Sequence, residues 1–224
     1  MSGANLTAEY STEHQSKIVS VIAKIVSYIL HPLFIPTYIF IWLVKRFTVN
    51  FDGTTPQDIF RKEISVFLNL SFFPAFSVFL LWRLKFIESI YLRTQKDRII
   101  PYIITMIFYW WMWYLSRDPK FENQPIALKF FYFGIFLTTI FGLIINNFMK
   151  ISMHAIGAGT LVAFIILTCF FYQTLLGSDI MIAVFLAGII CTARLLLNHH
   201  SNTEIYSGLI VGIICQLLGY WIAL

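Results

Sequence analysis

Charge is what this sequence has least of. Only 12% of its 224 residues are Asp, Glu, Lys or Arg, where a soluble domain carries about a quarter. That shortage excludes a soluble enzyme and a disordered chain. Cysteine is scarce too. Cys169, Cys191 and Cys215 lie inside apolar runs. They show no ligand spacing and read as small packing residues, which excludes a disulfide scaffold. The first 16 residues are polar, and no short apolar stretch there leads into a small-residue cleavage site, so no signal peptide is expected. Internal repeats and low-complexity tracts are also missing.

Apolar residues are abundant, at 58% of the chain with a mean hydropathy of +0.77. The runs free of Asp, Glu, Lys and Arg cover 25–44, 64–82, 99–116, 130–149, 151–178, 180–193 and 205–224. The sixth remains apolar to Leu197 beyond Arg194. About 20 apolar residues cross a bilayer as a helix, the one open-ended structure that satisfies its own backbone in lipid. The expected fold is therefore an all-α, polytopic membrane helix bundle of about six to seven spans. It forms a single transmembrane domain over 1–224 with a polar N-terminal tail at about 1–16. Pro32 and Pro36 interrupt the first run and predict a kink or a short entry helix at about 17–30, with Lys17–Ser27 partly in the interface. His31 sits beside that kink and reads as structural. Tyr109, Trp110, Trp111, Trp113 and Tyr114 read as an interfacial aromatic belt.

The net charge of +5 and pI of about 9.1 suit loops and headgroup contacts in a membrane chain, and no nucleic-acid partner is expected. Seven crossings would put nine Lys and Arg on the side of the N-terminus and seven on the other. That balance does not fix an orientation.

The placement of polar groups is more informative. Three segments carry them next to a span: Arg93 to Pro101, which includes Lys96 and Arg98; Lys150 to Ala155, which includes Ser152 and His154; and Arg194 to Glu204, which includes His199 and His200. Each follows an even-numbered span, so all three emerge on one face. Guanidinium and ammonium groups beside histidines suit a phosphate ester. His200 and Glu204, at i and i+4, share a helix face, and a carboxylate on one imidazole nitrogen raises the basicity of the other. That pairing makes a nucleophile. A histidine on another segment, His154, is placed to protonate a leaving oxygen.

These residues resemble the type 2 phosphatidic acid phosphatase superfamily. Its third motif is Ser-Arg, five residues, His, three residues, Asp; this chain has Ala193-Arg194, five residues, His200, three residues, Glu204. Its second is Pro-Ser-Gly-His, against Ile151-Ser152-Met153-His154. Its first is Lys, six residues, Arg-Pro, against Lys96-Asp97-Arg98-Ile-Ile-Pro101. The order agrees, and the resemblance spans a phosphatase-like core at about 64–224. Three departures stand out. Glu204 replaces Asp, Met153 replaces Gly, and the residue seven before Arg98 is Tyr91 instead of Lys.

The resemblance implies a membrane hydrolase that acts on a lipid phosphate or diphosphate through a phosphohistidine, with no metal or other cofactor. It implies His200 as nucleophile, Glu204 as its orienter and His154 as general acid. Arg194, Ser152, Arg98 and Lys96 become phosphate ligands. The substrate partner would be a lipid phosphate held in the bilayer, and the site would face the outer side of a bacterial cytoplasmic membrane. The identity of the lipid and the oligomeric state are open. Two other readings stay beside this one. His154, His200 and Glu204 are the two histidines and carboxylate of a catalytic zinc site, against which the clustered arginines argue. The Glu204 and Met153 departures also fit a catalytically inactive lipid-binding or transport protein on the same scaffold.

Overall fold

The structure, a computed structural model, describes residues 17–51, 53–118 and 124–223. The polar tail expected at 1–16 lies outside them. Among the described residues the regular structure is helical: α1 (Lys17–Ile29), α2 (Ile35–Arg46), α3 (Pro56–Arg83), α4 (Gln95–Arg117), α5 (Ile126–Asn146), α6 (Met153–Phe171), α7 (Gly177–Leu196) and α8 (Asn202–Ala223). The last six, α3 to α8, are each long and apolar enough to cross a membrane. The chain is an integral membrane protein.

The first apolar run forms no continuous span. Pro32 stops α1 at Ile29, and the chain turns before restarting with Pro36 in the first turn of α2, where a missing N–H costs nothing. Lys17, Ser20, Lys24 and Ser27 recur at helical spacing along α1. Ile18, Val21, Ile22, Ile25 and Ile29 are exposed, as in a helix that shows lipid its apolar face. Helix α3 contains a π turn over Leu68–Phe72, directly before Pro74. Proline cannot donate to the ladder, and the register slips to accommodate it. The Ser71 hydroxyl in this turn donates to the Leu33 carbonyl and lies 3.1 Å from Thr37 Oγ1. The π turn thereby anchors the bend between α1 and α2.

The core centres on Phe130, Phe131 and Phe164, all fully buried, with ring centroids 4.8 to 5.5 Å apart across α5 and α6. Helix α8 packs closely against α5 and α6. A Cβ at Gly159 would strike the Leu209 carbonyl and one at Gly212 the Ile156 carbonyl, so α6 and α8 meet backbone to backbone. In the aromatic stretch on α4, Trp110, Trp111 and Tyr114 face outward as expected of a belt. Tyr109 turns inward and is buried. Opposite the polar segments, Arg46 Nε lies 3.0 Å from Asp179 Oδ1, which also accepts from Trp42 Nε1 at 3.0 Å. This pair ties the end of α2 to the start of α7.

Candidate active site

The three polar segments meet at one end of the bundle, and short bonds between them define the meeting. The start of α4 is clamped to the end of α5. Gln95 Nε2 donates to the Asn146 carbonyl at 2.6 Å, and Asn146 Nδ2 returns a bond to the Gln95 carbonyl at 2.9 Å. Arg98 reaches from α4 to the segment before α6, where its Nη1 donates to the Ile151 carbonyl at 2.8 Å, while its Nε donates to the Leu92 carbonyl at 2.9 Å. The Ser152 N–H donates to the Glu204 carbonyl at 3.3 Å and joins the second segment to the third. Gly208 lets α8 sit this close, since a Cβ there would lie 2.8 Å from the Ser152 carbonyl oxygen.

His200 occupies the centre of this arrangement. Its Nδ1 lies 2.8 Å from Glu204 Oε2 and 3.1 Å from the Lys150 carbonyl oxygen. Both oxygens accept only, so Nδ1 carries the proton and Nε2 keeps its lone pair. The side chain is 2% exposed. Burial pushes its pKa down to about 4; Arg98 and Arg194 add to that fall, and the Glu204 bond opposes it. The ring is neutral at pH 7, the form that can attack an electrophile. Glu204 has a second duty. Its Oε2 accepts the Ser201 N–H at 3.2 Å, and Ser201 Oγ accepts the Glu204 N–H at 3.3 Å. This capping box starts α8 and fixes the carboxylate that holds His200. The glutamate spans its gap to the imidazole in full, so the extra methylene relative to aspartate is accommodated.

His200 opens onto a cavity of about 1050 Å³ whose lining includes His31, Arg98, Lys150, His154, Arg194 and His199. Among the described residues no carboxylate lies within ion-pair distance of Arg98, Lys150 or Arg194. Arg194 Nη2 donates to His199 Nδ1 at 2.9 Å, and its buried Nε has no protein partner. Burial lowers the Lys150 pKa, and Arg98 lowers it further. Burial and then Arg194 lower that of His199. The nearby Glu204 carboxylate opposes the fall at Lys150. The cavity still holds an excess of positive charge in partly desolvated surroundings, which favours an anion.

His154, in the first turn of α6, donates its Nε2 proton to the Ser27 carbonyl at 3.1 Å and packs edge-on against His31, ring centroids 5.0 Å apart. His31 Nδ1 in turn accepts the Leu33 N–H at 3.3 Å. The bend between α1 and α2 is thus part of the cavity wall, and His31 is more than a residue of the kink. Its signal in the sequence was a lone histidine at a proline break. Lys150, two residues before Ser152, is a further cavity cation outside the expected ligand set.

Two residues expected to bind phosphate do not reach the cavity wall. Ser152 is fully buried as the N-cap of α6, its Oγ accepting the Ala155 N–H at 3.3 Å. Lys96 is exposed on the outer face of the first turn of α4. Helical geometry separates Lys96 from Arg98 by about 200°, so both cannot face one ligand. Met153 lines the cavity. Among the described residues no group of three His, Cys, Asp or Glu is placed to hold a metal ion.

Fold and site together define a polytopic helical membrane protein with a cationic, histidine-lined cavity at one end of its bundle. Comparison with protein-family models, with curated proteins and with solved structures gives no match to this chain.

Proposed function

We propose that this protein is a membrane phosphatase that hydrolyses a lipid phosphate through a phosphohistidine at His200. The observation that carries the reading is the His200 Nδ1–Glu204 Oε2 bond of 2.8 Å, made beside a cavity lined by Arg98, Lys150 and Arg194. It fits the resemblance of the three segments to the type 2 phosphatidic acid phosphatase superfamily.

The phosphate monoester enters with its oxygens against Arg98, Arg194 and Lys150, which neutralise its charge in the transition state. The lone pair of His200 Nε2 forms a bond to phosphorus, and the bond from phosphorus to the lipid oxygen breaks. His154 enters this step as an imidazolium beside the bound phosphate dianion: its Nδ1 proton passes to the departing alkoxide while Nε2–H stays on the Ser27 carbonyl, and a neutral lipid alcohol leaves. Glu204 and the Lys150 carbonyl stabilise the positive charge that the phosphorylated ring acquires. Water then attacks phosphorus, its proton passes to His154, and inorganic phosphate departs with His200 restored. The tails stay in the bilayer while the headgroup enters the polar end. By the same resemblance the site faces the outer side of the membrane.

The test is phosphate release by the purified protein in detergent, over lipid mono- and diphosphates with chelator present. Release is expected to survive the chelator and to vanish in His200→Ala and His154→Ala. Binding of phospholipid without turnover of any substrate would favour the inactive binding or transport reading.

A further inference from the structure

The bend between α1 and α2 is braced from several sides. The Tyr38 hydroxyl donates to the Ile29 carbonyl at 2.9 Å, and the Phe34 N–H donates to the His31 carbonyl at 2.9 Å. The Leu33 N–H donates to His31 Nδ1 at 3.3 Å, while the Leu33 carbonyl accepts the Ser71 hydroxyl from the π turn of α3. Helix α6 leaves room for the bend: a Cβ at Gly157, three residues past His154, would lie 2.7 Å from Ile35 Cδ1 and 3.1 Å from Pro32 Cβ. Together these contacts hold one ring against another. The His31 and His154 rings meet at 83° with centroids 5.0 Å apart, in the range where edge-to-face pairs attract. Both residues line the cavity. Burial pushes the His31 pKa down to about 4, and Arg194 adds to that fall. The ring is therefore neutral at pH 7 and does not repel a protonated His154. Because Nδ1 accepts from Leu33, the neutral ring carries its proton on Nε2.

A general acid has to aim one proton. Among the described residues the His154 ring makes one hydrogen bond, from Nε2 to the Ser27 carbonyl at 3.1 Å. The torsion that turns a histidine ring about its Cβ–Cγ bond has only broad minima. A bond at Nε2 alone therefore lets the ring roll and swing Nδ1 away from the leaving oxygen, and small misplacements of this kind are costly in rate. A second ring packed against the first removes that freedom. We propose that His31 is a positioning residue for His154: its ring, held by the Leu33 N–H, fixes the plane of the His154 imidazole, so that Nδ1 faces the leaving oxygen while Nε2 stays on the Ser27 carbonyl. In this role His31 neither binds phosphate nor exchanges a proton. The assignment rests on the phosphatase reading for what His154 protonates, whereas the hold of one ring on the other does not depend on it.

Two substitutions separate the ring contact from the bend. His31→Asn keeps an acceptor for the Leu33 N–H and removes most of the ring; His31→Phe keeps a ring and loses that acceptor. The full-length proteins are compared on decyl phosphate, whose alkoxide leaves only with a proton, and on a decyl-substituted nitrophenyl phosphate, whose phenolate leaves without one. Release of the alcohol or phenol is followed, and its kcat/KM reports the steps up to the phosphohistidine. His31→Asn is expected to lower kcat/KM for the alkyl ester by about ten- to a hundredfold, part of the factor of about 10²–10⁴ that a placed general acid supplies, and to leave the aryl ester near the parent value. His31→Phe is expected to keep most of the alkyl rate. NMR of nitrogen-labelled histidine reads the same aim without substrate: His154 should show one tautomer, protonated at Nε2, in the parent and in His31→Phe, and a mixture in His31→Asn. Equal losses on both esters in His31→Asn, an alkyl rate or a His154 signal unmoved by it, or an alkyl-to-aryl ratio that falls in His31→Phe overturns the positioning role. Absence of release from both esters, with the NMR change intact, overturns the phosphatase reading and leaves the hold of His31 on His154 standing.

Discussion

Shortening Glu204 to aspartate, the residue at this place in the superfamily that the sequence resembles, should damage the protein. The carboxylate oxygen stands 2.8 Å from His200 Nδ1. Removing one carbon–carbon bond of about 1.5 Å withdraws it to about 4 Å, past the limit of about 3.2 Å for such a bond. A hydrogen bond to a charged group contributes about 1.5–3 kcal/mol, and each 1.36 kcal/mol is tenfold in rate. Glu204→Asp should therefore lose about ten- to a hundredfold in kcat/KM. Glu204→Gln keeps the length and a neutral acceptor, and glutamine also serves the capping box with Ser201. It should lose only about five- to tenfold, the difference between a charged and a neutral bond. Both variants are compared by phosphate release per folded molecule, with thermal unfolding run alongside because aspartate also weakens the start of α8. An aspartate variant as fast as the parent, or a glutamine variant slower than the aspartate one, would refute the orienting role of this bond.

Other consequences can be checked independently. Because burial holds His200 at about 4, its ring in the substrate-free protein should stay neutral as pH falls through the ordinary histidine range and titrate only near pH 4, read by NMR of the imidazole; titration near 6.5 contradicts the buried, neutral nucleophile. The same shift has a stability counterpart, since the folded-state value lies below the unfolded one. The stabilisation is present above about 6.5 and is lost as pH falls toward 4, which a pH series of unfolding temperatures reads. Asp179→Asn, at the far end of the bundle, should cost about 1–3 kcal/mol by weakening the bonds from Arg46 and Trp42. It should lower the unfolding temperature without changing turnover per folded molecule. Gly212→Ala places a methyl on the Ile156 carbonyl and should prevent close docking of α6 and α8, seen as loss of monodisperse protein on size exclusion.

The sidedness of the three polar segments was legible because it depends only on an even number of crossings between them. Helices α4 and α5 separate the first segment from the second, and α6 and α7 separate the second from the third. The first apolar run broke at Pro32 without disturbing that parity. The i, i+4 spacing was equally legible, and it placed Glu204 on His200. The expectation for Ser152 and Lys96 came from a motif pattern, and local geometry decided otherwise. A serine directly before a helix caps it, and an offset of two positions in α4 turns the side chains of Lys96 and Arg98 to different faces. Lys150 and His31 were not legible as site residues. Lys150 reaches the cavity by way of the loop before α6. His31 arrives through a tertiary contact over 123 positions to His154, fixed partly by a π turn in α3 that no periodicity announces.

The central claim is that His200 becomes phosphorylated. The most direct measurement mixes the full-length protein with a lipid monoester labelled in its phosphate, quenches within one turnover and maps the label on the chain. A phosphoramidate on His200, labile in acid, stable in alkali and missing from His200→Ala, is the predicted result. Turnover with no protein-bound phosphate, or label on another residue, would contradict it.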